Sequence, residues 1–593
     1  MSLTVIALGV LAILCAGYLL YGSFIARQFR IDDAHATPAT RLSDGVDFIP
    51  TRPFYLMAQH FSAIAAAGPI VGPVLACMAF GWAPCLVWIV GGVILIGAVH
   101  DFAALIASVR HGAHSIADVA REHLGRRAYL ALVAFIWLAL LYVITAFTDV
   151  TAATFVGKSE ELTGLNGAVT FNIGGAVAAA SVMYLLLALV MGLVQRTLKP
   201  PMWLTTLVFV PATLGVIWLG TRVSTVMVFD ARVWYWVILG YCFVASMIPL
   251  WCLQQPRGYL GGFVLYLAIA AGVLGIVLGG FEIRQPAMAP IASYAEFFGL
   301  GGAPAGAVGA GPRMTDLVFP FLFVTIACGA CSGFHGLVCG GTTSRQLARE
   351  SHCKPVAFGA MLLEGFVAVI ALATVMILST DDLKPYAGRP GAIYGDGLAK
   401  FVTRIFGLES AEARSFARTF GQMAVATFIF DTLDVATRLG RYLLQELCGV
   451  KDRFTGVLAA GLTAGVPLVI LLFAQKGSYM LFWTLFGTSN QLLAGLTLLS
   501  VTVWLRSTGR RTWYVLWPMV FVMFITVIAL SIQIFAGVRD AAAGRWSSAG
   551  SLNPTVLNAG VGLMLLGLAV LFIVEGARAF RKTGAARSGG AAC

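Results

Sequence analysis

Charge is what this 593-residue chain has little of: Asp, Glu, Lys and Arg make up 11% of it, against roughly a quarter in soluble domains. An ordinary soluble globular fold is excluded. Catalytic signatures are missing too. There is no Walker loop, no Gly-x-Ser-x-Gly elbow, no His-Glu-x-x-His zinc pattern and no dinucleotide fingerprint after a strand. No polar stretch is long enough to fold as an ATPase domain, so any pumping is ion-coupled or driven by a partner. The segment from Ser2 to Ile25 lacks a basic n-region and a small-residue cleavage site, and reads as a retained membrane helix. The 11 cysteines lie mostly in apolar segments and imply no disulfide framework. No cofactor is implied.

What the chain does have is hydrophobic residue, 59% of the total, with mean hydropathy +0.88. It reads as an all-α polytopic membrane protein. A span needs about 20 mainly apolar residues. Fifteen segments qualify, at 3–25, 54–80, 84–109, 128–155, 170–194, 202–220, 233–253, 260–280, 315–338, 355–379, 417–440, 454–474, 479–505, 513–536 and 555–580. Loops after odd-numbered spans, with the C-terminus, hold most of the Lys and Arg. The positive-inside rule then puts the N-terminus outside and the C-terminus in the cytoplasm. The net charge of +12 is explained by these loops and implies no nucleic acid. On these boundaries no Lys or Arg lies deep in a span. Ser115 to Leu124 reads as an amphipathic interfacial helix, with Ser115 as cap and Asp118 three residues on. The loop 380–416 has room for a short surface helix ending at Glu412-Ala-Arg-Ser.

The second span is interrupted. It reads His60-Phe-Ser-Ala-Ile-Ala-Ala-Ala-Gly-Pro-Ile-Val-Gly-Pro-Val74. Proline removes a helix donor and clashes one turn back, and glycine is costly in a helix. Freed backbone at membrane depth is tolerated only against protein or a wet cavity. A break at Gly68-Pro69 or Gly72-Pro73 is therefore a candidate binding site. The ninth span repeats the pattern with Gly329 and Gly333 inside Thr325-Ile-Ala-Cys-Gly-Ala-Cys-Ser-Gly-Phe-His335, and Gly340-Gly-Thr-Thr343 follows. Small-residue helix packing is the plainer explanation of those glycines, but Ser332 and His335 add polar groups that packing does not need.

Ionisable groups inside spans cost at least ~2.5 kcal/mol on insertion scales, so each asks for a partner or a role. They are His60, His100, Asp101, Asp149, His335, Glu364, Asp431 and Asp434. Asp101 can bond a freed amide, carry a proton, or make an ordinary interhelical contact. Asp149, among Thr145, Thr148 and Thr151, reads best as solvated near a span end. Asp434 and Arg438 have the i,i+4 spacing of a neutralising pair, with Asp431 and Thr427 deeper on the same face. Asn490 and Gln491 are amides that need interhelical partners. Cys328 and Cys331 form a Cys-x-x-Cys with His335 nearby, too few ligands for a metal centre.

Several of these segments together resemble the carbon starvation protein family, CstA, of bacterial inner-membrane transporters. They are His60 to Val74, Gly97 to Phe102, Tyr241 to Pro249 with Pro256-Arg-Gly-Tyr259, Thr325 to His335 with Gly341-Thr-Thr343, Asp431 to Tyr442, and Phe486-Gly-Thr-Ser-Asn-Gln491. They occur in one order over nearly the whole chain. The resemblance implies import of peptides or pyruvate during carbon starvation, proton symport in some members, and an inverted-repeat core related to the amino acid–polyamine–organocation superfamily (LeuT-like). On that reading residues 1–53 are an extra helix and loop, 54–505 the transport core and 506–593 extra helices with a basic tail. The repeats would be 54–220 and 233–440, with the seventh span as inverted mate of the second, and the ninth packed beside the second. The expected function is a secondary active importer, not an enzyme, of a small carboxylate or short peptides, coupled to protons or sodium. With no core Arg or Lys, the substrate carboxylate would be held by broken-helix amides. The candidate substrate residues are His60, Ala67, Gly68, Pro69, Gly72, Gly329, Ser332, Gly333 and His335. Proton coupling would use Asp101, Glu364 or Asp431, in that order, and sodium coupling the carbonyls near Ala65 to Gly68 with hydroxyls such as Thr325. Asp434, Arg438, Asn490 and Gln491 would gate or brace. A nutrient sensor without transport, or an intramembrane metal or redox enzyme on Cys328, Cys331 and His335, are the competing classes.

Overall fold

The computed structural model describes residues 2–44, 48–65, 68–157, 159–164, 167–249, 251–298, 313–386, 389–408, 410–449, 452–474, 479–548 and 551–589. The predicted site residue Ala67 lies outside the described residues. The helices are α1 Leu3–Gln28, α2 Pro53–Ile64, α3 Gly68–Phe80, α4 Trp82–Arg110, α5 Ile116–Leu124, α6 Arg126–Phe155, α7 Ile173–Thr197, α8 Met202–Arg222, α9 Ala231–Met247 and α10 Gln254–Leu278. They continue as α11 Val318–Thr325, α12 Gly333–Val338, α13 Glu350–Met376, α14 Pro390–Phe406, α15 Ala411–Cys448, α16 Arg453–Phe473, α17 Tyr479–Ser507, α18 Trp513–Ala542 and α19 Pro554–Gly589. An antiparallel hairpin pairs β1 (Ser159–Gly164) with β2 (Gly167–Asn172), Ser159 opposite Asn172.

Among the described residues, 10 helices are long and apolar enough to cross a membrane, 11 if the bent pair α2–α3 is one span. The sequence count of fifteen is higher because five of its segments are not plain apolar rods. Segment 54–80 is bent by 48° between α2 and α3. Segment 233–253 stops at 17 residues, before Pro249, because the residue preceding proline is pushed out of the helical region. Segment 315–338 is split into α11 and α12. Segment 417–440 lies in the 38-residue α15, whose Asp and Arg residues lower its hydropathy, and 479–505 lies in α17 with its run of amides and hydroxyls. These irregular segments carry His60, His335, Asp431, Asp434, Asn490 and Gln491, whereas Asp101, Asp149 and Glu364 lie on unbroken spans.

Two loop readings are refined. Ser115 does cap α5, accepting from the Asp118 amide at 3.1 Å and donating to its carboxylate at 2.7 Å. In the loop 380–416 the surface helix is the 17-residue α14. Glu412-Ala-Arg-Ser instead forms the first turn of α15, because Ser410 caps that helix through the Ala413 amide.

The chain divides into two compact units. One comprises Met1–Leu8, Leu140–Pro286 and Val369–Tyr479; the other comprises Gly9–Ala139, Ala287–Ala368 and Met480–Cys593. The first is built on Trp234, Tyr184 and Phe155, the second on Trp483, Phe102 and Phe321, all buried below 3% exposure. α2–α3 and α11–α12 both belong to the second unit.

Candidate functional site

The first break falls where α2 ends at Ile64. Ala65 leaves the helical region (φ −73°, ψ 58°). Gly68-Pro69 opens α3, where a proline costs no bond because the first amides of a helix are unpaired anyway. The second pair does not interrupt the chain: Pro73 sits inside α3. Gly72 is there for another reason, since a Cβ on it would stand 2.6 Å from the Thr325 carbonyl oxygen. A Cβ on Gly68 would collide with the Cys328 side chain. Small residues thus let α3 lie directly on the second break, as expected of the second and ninth spans.

That second break runs from Ile326 to Ser332, between α11 and α12. Unwinding strips the last carbonyls of α11 of their helical donors, and side chains supply others to Phe323 and Thr325. The Trp88 indole donates to Phe323 O and Ile326 O at 3.2 and 3.3 Å. Gln491 donates to Phe323 O at 2.9 Å and Trp483 to Thr325 O at 3.0 Å. Asn490 works at the other end. Its Oδ1 accepts from the Phe334 amide at 2.9 Å, and its Nδ2 donates to Ser332 Oγ at 3.0 Å and to Cys328 Sγ at 3.3 Å. Asn490 and Gln491 are therefore the braces of the break, with geometry that satisfies buried polar backbone.

Against this break four titratable side chains meet with almost no exposure. His335, on α12, places Nδ1 2.9 Å from Asp101 Oδ2 and Nε2 3.1 Å from Glu364 Oε2. The second contact is off the hydrogen-bond direction, and both Glu364 oxygens are buried with no aligned donor. The other Asp101 oxygen meets His100 Nδ1 at 2.8 Å. His100, Asp101 and Glu364 are fully buried and His335 is 1% exposed. An imidazolium here donates to Asp101 and faces Glu364 as a charge at 3.1 Å, whereas a neutral ring leaves one carboxylate without a positive partner. The cluster can therefore hold and pass a proton among His100, Asp101, His335 and Glu364.

His60 stands beside it. Its Nδ1 is 2.8 Å from Thr343 Oγ1 and its Nε2 is 4.0 Å from Cys339 Sγ. Cys339 in turn lies 3.6 Å from the Asp101 carbonyl. Cys339 carries no sequence motif and was not among the expected residues. Its one signal is position, four residues after His335 on a helical path. Three π-helical turns adjoin the cluster: Val93–Gly97 before His100, Cys339–Thr343 after His335, and Lys354–Gly359 before Glu364. Such turns concentrate at functional sites.

Asp431 does not join this cluster. It belongs to the other unit, with Asp434 on α15, and both carboxylates pair with the Arg257 guanidinium. Arg257 is fully buried in the first turn of α10, at the end of a span and not deep in it, where the sequence reading expected only a loop. The sequence boundary at 260 left Arg257 in a loop; Pro256, harmless at a helix start, concealed the true beginning. The expected Asp434–Arg438 pair gives way as well. Tyr241 donates to Asp434 at 2.8 Å, while Arg438 donates to the Ala245 and Ile248 carbonyls at 2.7 and 2.8 Å, closing the end of α9. In the same unit Asp149 is buried rather than solvated, accepting from Tyr235 at 2.6 Å.

The sequence profile described as carbon starvation protein CstA matches residues 1–393 and 384–529. The chain is similar to the peptide transporter CstA of Helicobacter pylori (strain J99), 31% identical, covering 83% of this chain and 76% of that protein. It is similar to the pyruvate/proton symporter BtsT of Escherichia coli K12, 30% identical, covering 88% and 80%. The peptide transporter CstA of the same organism is 29% identical over 86% and 78%. Among solved structures, a manganese transporter of Eremococcus coleocola covers 91% of this chain and 99% of its own at TM-score 0.46 and 13% identity.

Proposed function

The chain belongs to the carbon starvation protein CstA family, and on that premise we propose that it imports a small carboxylate, pyruvate-like, or short peptides, driven by a proton gradient. The observation that carries this reading is His335 held between Asp101 and Glu364, out of water and against a broken helix. A buried histidine between two carboxylates has no structural need for both, and a proton entering such a group changes a charge that the surrounding helices must accommodate. The carboxylate of the substrate is received at the two facing breaks, by amides opening α3 and by His60, with Gly68, Pro69, Gly72, Gly329, Ser332, Gly333 and His335 around it. Sodium coupling through the Thr325 hydroxyl is the alternative that the transport test separates.

The order of elements supports an inverted-repeat core whose second repeat opens at α11, not at residue 233. Each broken helix is followed by a helix containing a π turn, α4 and α13 respectively, and then by three further long helices, α6–α8 and α15–α17. The membrane is the bacterial inner membrane, with the N-terminus outside and the C-terminus in the cytoplasm.

Uptake of labelled pyruvate and dipeptides into proteoliposomes, under separate proton and sodium gradients, tests the proposal. Accumulation driven by an inward proton gradient is expected. Uptake driven by sodium alone replaces the coupling ion, and binding with no gradient-driven uptake of any of these overturns the importer reading in favour of a sensor.

A further inference from the structure

A second group of ligating side chains lies outside the cluster, where α4 ends. His111 follows α4, and Glu122 and His123 occupy the last turn of α5. The two Nε2 atoms face each other at 2.8 Å. Their rings are nearly perpendicular, at 85°, with centroids 5.0 Å apart. The Glu122 carboxylate completes the set, its ligand atom and both nitrogens lying within 4.8 Å of one another. Among the described residues no other group of three or more such side chains comes together this closely.

The arrangement is constructed rather than accidental. His111 Nδ1 lies 2.6 Å from the Ala107 carbonyl, so that nitrogen carries the hydrogen and Nε2 presents a lone pair. This is the orientation device by which proteins prepare a metal-binding histidine. The connection from α4 to α5 passes through Gly112 (φ 72°) and Ala113 (φ 62°). A side-chain-bearing residue in the left-handed region is strained and persists only where its surroundings hold it. Here Ser108 holds it by donating to the His114 carbonyl at 2.6 Å. The turn brings the end of α5 back onto His111, which also packs edge-on to Trp504, with ring centroids 5.3 Å apart.

The geometry points to a site for a borderline divalent transition-metal cation, of the zinc class, ligated by His111 Nε2, His123 Nε2 and a Glu122 oxygen, with the fourth position left to water. Two imidazoles and one carboxylate suit zinc, and are too few and too nitrogen-rich for calcium or magnesium. Binding replaces the nitrogen–nitrogen hydrogen bond. His123 exchanges its Nε2 proton for one on Nδ1, and no net proton is lost. Nearby cations are partly compensated: Arg110 pairs with Glu350 at 2.7 Å, Arg578 with Glu575 at 3.0 Å, and Arg121 lies over the Tyr129 ring. Arg126, Arg127 and Lys582 line the adjoining cleft and moderate the affinity. A bound cation would fasten the end of α4, the helix that carries His100 and Asp101, to the interfacial α5.

The test uses tag-free full-length protein in nanodiscs, stripped with chelator and titrated with zinc chloride, with bound metal counted by elemental analysis. One equivalent of zinc is expected, with His111→Ala and His123→Ala each losing it. Glu122→Gln, which preserves shape, is expected to weaken it at least about tenfold, the scale of lost metal-site support. Because Glu122 is exposed, that variant separates ligation from misfolding. No stoichiometric zinc in the wild type, or zinc retained unchanged in Glu122→Gln and His123→Ala together, overturns the site.

Discussion

His335 and Asp101 stand 234 positions apart in the sequence, yet their side chains meet at 2.9 Å, Nδ1 to Oδ2. That contact ties the second broken helix to α4. Asp101→Asn keeps the shape and removes the charge that a donating imidazole needs. Proton-driven accumulation is expected to fall at least about tenfold, the effect of about 1.4 kcal/mol, while exchange of internal for external substrate persists. Comparing net uptake with counterflow in the same proteoliposomes checks this; equal losses in both would assign Asp101 to substrate binding instead.

Glu364 invites the opposite trade. Its two oxygens are buried without an aligned donor, and such a group costs stability when charged. Glu364→Gln is expected to leave the midpoint of thermal unfolding unchanged or raised, and to make uptake insensitive to an imposed proton gradient. A large drop in the midpoint would mean the carboxylate is a structural element.

In the other unit, Arg257→Met strands Asp431 and Asp434. Removing one partner of a buried ion pair costs about 3–5 kcal/mol. Arg257→Met combined with Asp431→Leu and Asp434→Leu is expected to recover most of that loss, since no charge is then left unpaired. Denaturation of the single and triple variants in the same detergent decides it.

Gly72→Ala tests the packing of the two breaks. Its new Cβ would lie 2.6 Å from the Thr325 oxygen, and overpacking of this kind costs about 1–3 kcal/mol. Gly68→Leu and Gly72→Leu are expected to abolish transport, measured with expression level as control; full transport in both would remove the breaks from the substrate path.

Much of this was legible in the sequence because membrane depth makes polar and helix-breaking residues conspicuous. Gly68-Pro69, the Thr325–His335 stretch, Asp101 and Glu364 are each locally anomalous. What local pattern does not carry is partnership. Asp434 lies four residues from Arg438, but its charge is met by Arg257, 177 positions away, while Arg438 donates to carbonyls at the end of α9. Cys339 looked like any apolar cysteine until the fold set it between His60 and Asp101. Gly72-Pro73 misled for a related reason. Its glycine answers to the carbonyl of a distant helix, and its proline is tolerated because backbone groups it frees are buried against protein.

The donors given to the second break by Trp88, Trp483 and Gln491 have a mechanical consequence. Rewinding residues 326–332 into continuous helix would reclaim the carbonyls these side chains hold, and leave three N–H groups buried without acceptors, at about 1–3 kcal/mol each. A helix–coil transition here is thus the expensive coordinate. The discontinuity behaves as a stiff elbow, kept at constant shape, and whatever moves during a transport cycle carries that elbow along as a single piece.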